Sequence, residues 1–378
     1  MNITALEQKL ICKTGKDTDC TIEICHNLLQ NPTKYLHLTT DQLAIITDDN
    51  VAVLYGKVLQ QNLQAIGLNA KLFVFPHGEQ NKTRSNKEFL ENQLLASGFG
   101  RDSGIIALGG GVVTDLAGYI AATYCRGVSL TMLPTSLLGM VDASIGGKTG
   151  LNVPEGKNMI GCIYHPKQIL IDTAMLKTLP LVELANGMAE VIKHSLISDN
   201  SLFEYLETHV QELLALEPTV LEQVIFANCH IKWAVVQSDE NGYKKRHILN
   251  FGHTIGHALE CVTNYSIPHG QAVALGILAE SYLCVELGAL EQTSFARIEN
   301  ILLQYGLPLS NVLDFKVEQV IDVMRLDKKS LNGQPRFVII DAIGSPRPYE
   351  GNYCTPIPKV LIEKALHWLI DNNALRRH

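Results

Sequence analysis

Residues 108–161 read LGGGVVTDLAGYIAATYCRGVSLTMLPTSLLGMVDASIGGKTGLNVPEGKNMIG, and they join a glycine-rich turn to a cluster of charged side chains. The apolar run 105–108 indicates a short strand, and Gly109, Gly110 and Gly111 let its backbone turn tightly into a helix that we expect to begin near Thr114. The amide groups and the dipole at such a helix start favour an anion. Because the spacing is not GxGxxG, the turn alone fits a plain tight turn as well as a nucleotide site.

Strand and helix patterns alternate along the chain between residues 43 and 134. This alternation predicts a Rossmann-like parallel sheet covered by helices. Helical periodicity dominates after residue 180, and 336–344 is the one late strand candidate. We therefore predict an α/β N-terminal domain over residues 1–180 and a mostly α-helical C-terminal domain over residues 181–378. Since ligands of open α/β sheets bind beyond the carboxyl ends of the strands, we expect the active site in the cleft between the two domains.

The composition is that of a globular protein, and it excludes several classes of function. Of the 378 residues 18% are charged and 46% are hydrophobic, and the formal net charge of -7 argues against nucleic acid as a partner. The nine cysteines are scattered and never spaced CxxC, which predicts reduced thiols in the cytoplasm. The first residues do not resemble a signal peptide and no apolar run is long enough to span a bilayer, so we expect neither secretion nor a membrane partner.

Three histidines are candidate metal ligands. His253 and His257 lie four residues apart in NFGHTIGHALE and share one face of a predicted helix, and His269 opens the next helix after a proline. The residue after His253 is Thr254, so the HExxH motif of a zinc protease, with its glutamate base, is absent. A pair with this spacing also occurs in ordinary packing or on a surface, and the histidines alone leave both interpretations open.

A glutamate in an apolar segment strengthens the metal interpretation. Glu190 lies in NGMAEVIKH with Lys193 three residues further on, and the surrounding residues are apolar enough to be buried. The simplest account is an intrahelical ion pair with Lys193, which is worth only a few tenths of a kcal/mol on a solvated face. The alternative is a metal ligand beside a cation. One glutamate and two histidines leave an open position on a zinc ion, which is typical of a catalytic site.

Basic residues recur beside these elements although the chain is acidic overall. They are Arg126, Lys148, Lys157, Lys193, Lys232, Lys244, Lys245 and Arg246. Lys244 and Lys245 have the pattern of a solvated loop, whereas Arg246 is a better candidate for the site. If several of these cations converge, they would bind a phosphate and a carboxylate, which predicts a small phosphorylated acid as substrate.

These residues resemble the 3-dehydroquinate synthase family, which acts in the shikimate route to aromatic amino acids. The resemblance covers most of the chain through ordered motifs, among them TDDNV, HGEQNKTR, GGGVVTDLAGYIAA, VDASIGGKTGLN, GKNMIG, NGMAEVIKH, NFGHTIGHALE, HGQAVALG and DAIG. It implies a lyase that converts the phosphosugar acid 3-deoxy-D-arabino-heptulosonate 7-phosphate (DAHP) into 3-dehydroquinate and phosphate. It also implies NAD, one zinc or cobalt ion and a cytoplasmic homodimer.

The resemblance assigns roles residue by residue. The residues implied to contact NAD are Asp48, Asn50, Glu79, Lys82, Gly110, Gly111, Val112, Val113, Asp115, Thr135, Ser136, Lys148, Lys157 and Thr178. The implied metal ligands are Glu190, His253 and His269. The implied catalytic and substrate-binding residues are Arg126, Asp142, Lys148, Lys193, Lys232, Arg246, Asn250 and His257, and one of Lys328 and Lys329 would also reach the phosphate.

The implied reaction is an internal redox cycle. An alcohol bound to the metal loses its proton more easily, and its hydride passes to NAD. The new ketone acidifies the neighbouring hydrogen, so phosphate is expelled while lysines and arginine stabilise the departing charge. The hydride then returns, and ring opening and an intramolecular aldol closure follow. Either the substrate phosphate or a protein group could remove the proton, and the sequence leaves both open.

The chain departs from the family pattern at four positions. The family usually has glycine at the position of Thr114, a second threonine at Ser136, an acidic residue at Gln271, and aspartate or proline at His77. Ser136 keeps the hydroxyl group, and Thr114 could cap a helix. These differences concern cofactor affinity more than the reaction.

Three other functions compete with this interpretation. A metal-dependent polyol dehydrogenase would share the fold and release NADH, but a neutral polyol needs no set of cations such as Lys148, Lys193, Lys232 and Arg246. A second alternative is another sugar phosphate cyclase, such as 2-deoxy-scyllo-inosose synthase. The third is an inactive NAD-binding scaffold, which the presence of all three candidate ligands disfavours.

Overall fold

The computed structural model describes residues 9–13, 19–37, 40–239, 245–307, 315–326 and 333–375. Contacts divide the chain into two compact units. The sheet unit comprises Asn2–Leu179 with Leu221–Trp233, and the helical unit comprises Pro180–Val220 with Ala234–His378. The predicted domain boundary near residue 180 and the predicted cleft stay predictions.

A seven-stranded, mostly parallel sheet forms the centre of the sheet unit. The strands of this unit are β1 Lys9–Cys12, β2 Cys20–Cys25, β3 Gln42–Asp48, β4 Asn69–Phe75, β5 Gly104–Gly109, β6 Ser129–Pro134, β7 Lys148–Val153, β8 Gly156–Ile163 and β9 Gln168–Asp172. The sheet order is β1-β2-β9-β6-β5-β3-β4, and all pairs except β1 with β2 are parallel. Every residue of β5 and β9 is buried, as expected of parallel strands covered on both faces. The structure confirms the predicted α/β fold.

Helices of this unit follow the strands, and β7 and β8 form a separate antiparallel hairpin. The helices are α1 Pro32–Tyr35, α2 Asp49–Val51, α3 Lys57–Ala65, α4 Arg84–Ala96 and α5 Gly111–Thr123. The expected start of α5 near Thr114 is wrong, because the helix begins at Gly111 with Gly110 as N-cap. Thr114 is buried inside the helix, where its hydroxyl donates to the Gly111 carbonyl at 3.1 Å instead of capping.

The helical unit confirms the predicted helical C-terminal region. The remaining helices are α6 Leu181–Ser198, α7 Asn200–Thr208, α8 Val210–Leu214, α9 Pro218–Ser238, α10 His253–Val262, α11 His269–Glu286, α12 Gln292–Gln304, α13 Val317–Leu326 and α14 Lys359–Leu375. Of these, α9 belongs to the sheet unit over Leu221–Trp233. The strand candidate at 336–344 is split into β10 Arg336–Val338 and β11 Ile340–Ala342, which pair with β13 Cys354–Pro356 and with β12 Ser345–Pro346. None of the described helices has the length and apolarity to cross a membrane, and none of the nine cysteines forms a disulfide bond.

Glycines let three helices of this unit approach one another closely. A Cβ atom on Gly276 of α11 would lie 1.8 Å from the carbonyl oxygen of Gly252, just before α10. A Cβ atom on Gly270 would lie 2.4 Å from the carbonyl oxygen of Asn186 in α6. Helices α6, α10 and α11 therefore pack backbone against backbone, and they carry Glu190, His253 and His269.

We expect Gly276→Ala to destabilise the protein by about 3 kcal/mol or more, because its methyl group must displace backbone rather than a flexible side chain. The measurement is the free energy of unfolding from denaturant titration. Gly98→Ala is the control, because Gly98 has a φ of +76° with open space around it. We expect this variant to lose only the free energy that left-handed backbone costs a residue with a side chain, about 1 kcal/mol. Equal losses in the two variants would contradict the close-packing argument.

Candidate active site

The structure brings Glu190, His253 and His269 together in the helical unit. Oε1 of the fully buried Glu190 lies 3.3 Å from Nε2 of His253 and 3.6 Å from Nε2 of His269. One potential ligand atom from each residue lies within 4.8 Å of the others. Oε1 makes no hydrogen bond among the described residues, although it is buried. A buried carboxylate oxygen that faces two imidazole nitrogens without a hydrogen bond fits a shared metal ligand set.

Both imidazole rings are oriented by a contact of their second nitrogen, Nδ1. Nδ1 of His253 lies 3.1 Å from the carbonyl oxygen of Phe251, so the protonated Nδ1 donates and the Nε2 lone pair points at Glu190. Nδ1 of His269 lies 3.3 Å from Oε2 of the buried Glu260. Metal-binding histidines are commonly held in this way by a carbonyl or a carboxylate. Glu260 is not among the residues predicted from the sequence, although it lies seven residues after His253 and therefore on the same helix face.

The charges of the centre are coupled. Burial would raise the pKa of Glu190, but the Lys193 ammonium, which pairs with Oε2, and His253 hold it well below the usual value. Burial lowers the pKa of His253 to about 4. Burial acts in the same direction on His269, but the carboxylates of Glu190 and Glu260 raise its pKa to about 10. At neutral pH the centre thus holds a carboxylate, a neutral imidazole and an imidazolium, whose proton a cation can replace.

Of the further residues predicted for the substrate, His257 lies next to this centre, and Arg246 and Asn250 lie in a segment that packs on the helices that carry it. The ring of His257 lies 5.1 Å from that of His253 and 5.9 Å from that of His269. Arg246 and Asn250 lie in the 3₁₀ segment Lys245–Asn250, which packs against α6 and α10. Arg246 is buried, and its backbone amide donates to Asp239 at 3.1 Å. Lys328, Lys329 and Lys244 lie outside the described residues.

In the sheet unit the glycine turn lies at the carboxyl ends of two neighbouring strands. A Cβ atom on Gly110 would lie 3.1 Å from Oγ of Ser136, and one on Gly111 would lie 3.3 Å from the Ala143 methyl group. The amide of Thr135 donates to the Gly109 carbonyl at 3.1 Å. Four residues predicted to bind NAD, namely Gly110, Gly111, Thr135 and Ser136, therefore line one turn. Val112 and Val113 follow in the first turn of α5, whose amides can bind a phosphate.

A second group of predicted NAD residues forms an ion cluster around the buried Lys82. Nζ of Lys82 lies 2.9 Å from Oε1 of Glu79 and 3.0 Å from Oδ2 of Asp115, and its side chain is 4% exposed. Burial would lower the pKa of Lys82, but Asp115 and Glu79 raise it. Asn152 of the β7–β8 hairpin donates to Glu79 at 2.7 Å. Asn152 is not among the residues predicted from the sequence, because its contact joins residues 73 positions apart.

The remaining predicted NAD residues have separate local contacts. Asp48 accepts a hydrogen bond from the Val51 amide at 2.9 Å at the start of α2, and Asn50 is exposed. Thr178 Oγ1 lies 2.5 Å from the Tyr55 hydroxyl. The two predicted lysines of the hairpin, Lys148 and Lys157, lie in β7 and β8.

Two predicted catalytic residues of the sheet unit form an ion pair. Asp142 lies in the π-helical segment Gly139–Ala143, and its Oδ1 pairs with Nζ of the buried Lys232 in α9. Arg126 is exposed after β5 and α5, with a φ of +67°, and Cys125 before it has a φ of +51°. Two consecutive side chains in left-handed backbone mark a strained turn at this position.

Two of the family departures, His77 and Gln271, lie in different surroundings. Nδ1 of His77 lies 2.8 Å from Oδ1 of Asp49, and this contact lowers the pKa of Asp49. Gln271 is buried in α11, two residues after His269. Neither position belongs to the cluster of Glu190, His253 and His269.

Comparison with solved structures gives the class of protein. 2-Deoxy-scyllo-inosose synthase, in a complex with carbaglucose-6-phosphate, NAD+ and Co2+, superposes with a TM-score of 0.88 and 25% identity, covering 95% of this chain and 99% of that chain. 2-Epi-5-epi-valiolone synthase from Streptomyces hygroscopicus subsp. jinggangensis 5008, with NAD+ and Zn2+ bound, gives 0.86 and 27%, covering 95% and 99%. The fold is thus that of the sugar phosphate cyclases.

Sequence comparison gives the family. The models of the 3-dehydroquinate synthase N-terminal and C-terminal regions match residues 72–186 and 187–330. The 3-dehydroquinate synthase of Shewanella loihica is 44% identical over 87% of this chain and 92% of its own length, and that of Thermoanaerobacter pseudethanolicus is 42% identical over 82% and 86%. The chain belongs to the 3-dehydroquinate synthase family.

Proposed function

We propose that this chain catalyses the 3-dehydroquinate synthase reaction, a carbon–oxygen lyase step that converts DAHP into 3-dehydroquinate and phosphate. The family membership supports the reaction, and one structural observation carries its assignment to a site. That observation is the convergence of Glu190, His253 and His269, with the Lys193 ammonium on the other carboxylate oxygen of Glu190.

The donor set fits a divalent ion such as zinc or cobalt, because histidine and carboxylate ligands accept both. Glu190, His253 and His269 would hold the ion, which acidifies a bound hydroxyl group and polarises the substrate. Binding releases the proton of His269, since a ligating imidazole must be neutral. Glu260 then accepts the remaining Nδ1–H of His269 and keeps the ring in place.

The glycine turn of the sheet unit fits NAD. Amides at the start of α5 would bind its phosphates, and the missing side chains of Gly110 and Gly111 leave room for them. When bound, NAD would supply reversible hydride transfer, so that the net reaction would consume no oxidant. Ser136 and Thr135 supply hydroxyl groups at the same turn. We also propose that the ion cluster contacts NAD through its members Glu79, Lys82 and Asp115.

The basic residues are proposed to bind the two anionic groups of DAHP. Lys193 is buried beside the metal centre, so its charge is weakly screened by water and acts strongly on charge that develops in the transition state. Arg246 and Asn250 offer donors in the segment packed on α6, and His257 borders the histidine cluster. In the sheet unit Asp142 orients Lys232, while Arg126 and Lys148 complete the proposed set. Either the substrate phosphate or a protein group can be the base of the elimination.

The rival reactions have less support. 2-Deoxy-scyllo-inosose synthase shares the fold at 25% identity, whereas the curated 3-dehydroquinate synthases share 41–44%. The glycerol dehydrogenase of Schizosaccharomyces pombe has a TM-score of 0.66 at 17% identity, which shows the fold alone. An inactive scaffold would not need two imidazole nitrogens that converge on one buried carboxylate oxygen. We further propose a cytoplasmic homodimer, as the family resemblance implies.

The proposed function is tested by incubating the purified chain with DAHP, NAD and Zn2+ or Co2+. We expect phosphate release without accumulation of NADH, because the hydride returns within each turnover. The absorbance of the same sample monitors NADH. A chelator should abolish the release, and added metal should restore it. If the protein binds NAD and metal but releases no phosphate from DAHP, the proposal is overturned. NADH formation from glycerol would favour the polyol dehydrogenase instead.

A further inference from the structure

A buried carboxylate that the reaction does not use directly lies behind the metal centre. Glu280 in α11 is 1% exposed and lies in the same helix as His269. Its Oε2 accepts the amide of Gly252 at 2.8 Å, and its Oε1 accepts the amides of Thr254 at 3.1 Å and Ile255 at 3.2 Å. Glu280 thus satisfies three amides at the start of α10, the helix that begins with His253.

This carboxylate replaces the ordinary cap of α10. The N-cap residue is Gly252, with a φ of 77°, and it has no side chain to accept a hydrogen bond. A side chain there would also collide with α11, since a Cβ atom would lie 2.6 Å from Ile277 and 3.0 Å from the Val273 carbonyl oxygen. The close approach of the helices therefore excludes a local cap, and it brings Glu280 within reach of the free amides. A negative charge at this end of a helix also interacts favourably with its dipole.

One of these amides belongs to the peptide group that orients His253. The Gly252 N–H and the Phe251 C=O are parts of one planar peptide, and the chain contains no cis peptide bond among its described residues. The two groups consequently point in opposite directions. The N–H side is held by Glu280 at 2.8 Å, and the C=O side accepts from Nδ1 of His253 at 3.1 Å. Nε2 of the same ring faces Glu190.

We propose that Glu280 is a positioning residue of the metal centre, which fixes the ring of His253 through the Phe251–Gly252 peptide and the start of α10. A hydrogen bond to the N–H of a peptide polarises its carbonyl, so the carboxylate strengthens the acceptor that holds Nδ1. Glu280 thus holds the ring of His253 through a peptide group, whereas Glu260 holds the ring of His269 by direct contact with its Nδ1. This inference rests on the proposed metal centre and goes beyond it.

The test compares Co2+ binding by the full-length metal-free parent and by Glu280→Gln. Glutamine keeps the size of the side chain but loses the charge and places an NH2 group against backbone donors. We expect Co2+ affinity to fall roughly 10–100-fold, the range typical for loss of an outer-shell partner, with a changed visible spectrum of the bound cobalt. Chelator competition gives the affinity, and absorbance reports the ligand geometry independently of activity.

Glu207→Gln is the matched control, because Glu207 lies in the same unit but pairs with Arg297 at 2.6 Å and 3.0 Å. It should lose stability while it keeps the parental Co2+ affinity and spectrum. Glu280→Asp keeps the charge on a shorter side chain and should show a smaller loss of Co2+ affinity than Glu280→Gln. If the glutamine variant does not fold, the Co2+ affinity and spectrum of the aspartate variant test the role of Glu280. Parental affinity and spectrum in every folded Glu280 variant would overturn the role of Glu280. A parent chain that binds no Co2+ would instead overturn the proposed metal centre.

Discussion

Glu190→Gln is expected to lose metal and activity together. The variant keeps the volume of a side chain that is 0% exposed, but it replaces the carboxylate that faces both histidines with a neutral amide. Loss of a direct ligand should weaken Zn2+ or Co2+ binding by more than the 10–100-fold typical of outer-shell changes. Since the ion contributes several kcal/mol to the transition state and 1.36 kcal/mol is tenfold in rate, kcat should fall by about 10³ or more.

The measurements are the metal content after gel filtration and the rate of phosphate release from DAHP at saturating added metal. Glu222→Gln is the control, because Glu222 is also a buried glutamate but contacts His26 and Thr173 in the sheet unit. It should retain its metal and most of its rate. A Glu190→Gln protein with a full equivalent of tightly bound metal would show that the ligand assignment is wrong.

The sequence predicts the sheet and its phosphate turn because the controlling signals are local. Short buried strands separated by helical periods leave few topologies, and Gly109, Gly110 and Gly111 allow the backbone to turn tightly from the strand into the helix. The start of α5 was predicted three residues late because Thr114 has the chemistry of a cap. Its hydroxyl instead bonds within the helix, where Gly110 supplies the extended N-cap backbone.

The sequence predicts the three residues that converge, but it does not predict the residues that contact them. His253 and His257 show helical spacing, and Glu190 is conspicuous as a charge in an apolar segment. Glu260 and Glu280 look like ordinary helical glutamates, because nothing in their neighbourhood along the chain reveals which backbone or ring they meet. Their contacts exist only through the crossing of α10 and α11, which the glycines permit. The same reason hides Asn152, whose contact with Glu79 depends on where the hairpin lies.

Lys193→Met should separate the role of the cation from that of the metal. Methionine keeps much of the length and apolar stem of Lys193, which is 1% exposed, but it removes the ammonium that pairs with Oε2 of Glu190. In the metal-free protein the buried Glu190 carboxylate then loses its principal cation, and breaking such a pair costs about 3–5 kcal/mol of stability. Bound metal replaces the missing positive charge, so the unfolding temperature of the variant should rise more on metal addition than that of the parent.

The rate should not recover with the metal. Lys193 is proposed to stabilise charge that develops on the substrate, and removal of one donor preorganised for that purpose typically lowers kcat by about 10²–10³-fold. The experiment measures phosphate release and Zn2+ content on the same preparation, with Lys364→Met as control because Lys364 pairs with Glu286 at the surface. Full metal occupancy with a rate lowered a hundredfold is the expected result. A metal-loaded Lys193→Met protein that works at the parental rate would reduce this lysine to a structural partner of Glu190, and the charge stabilisation would then have to come from the other cations.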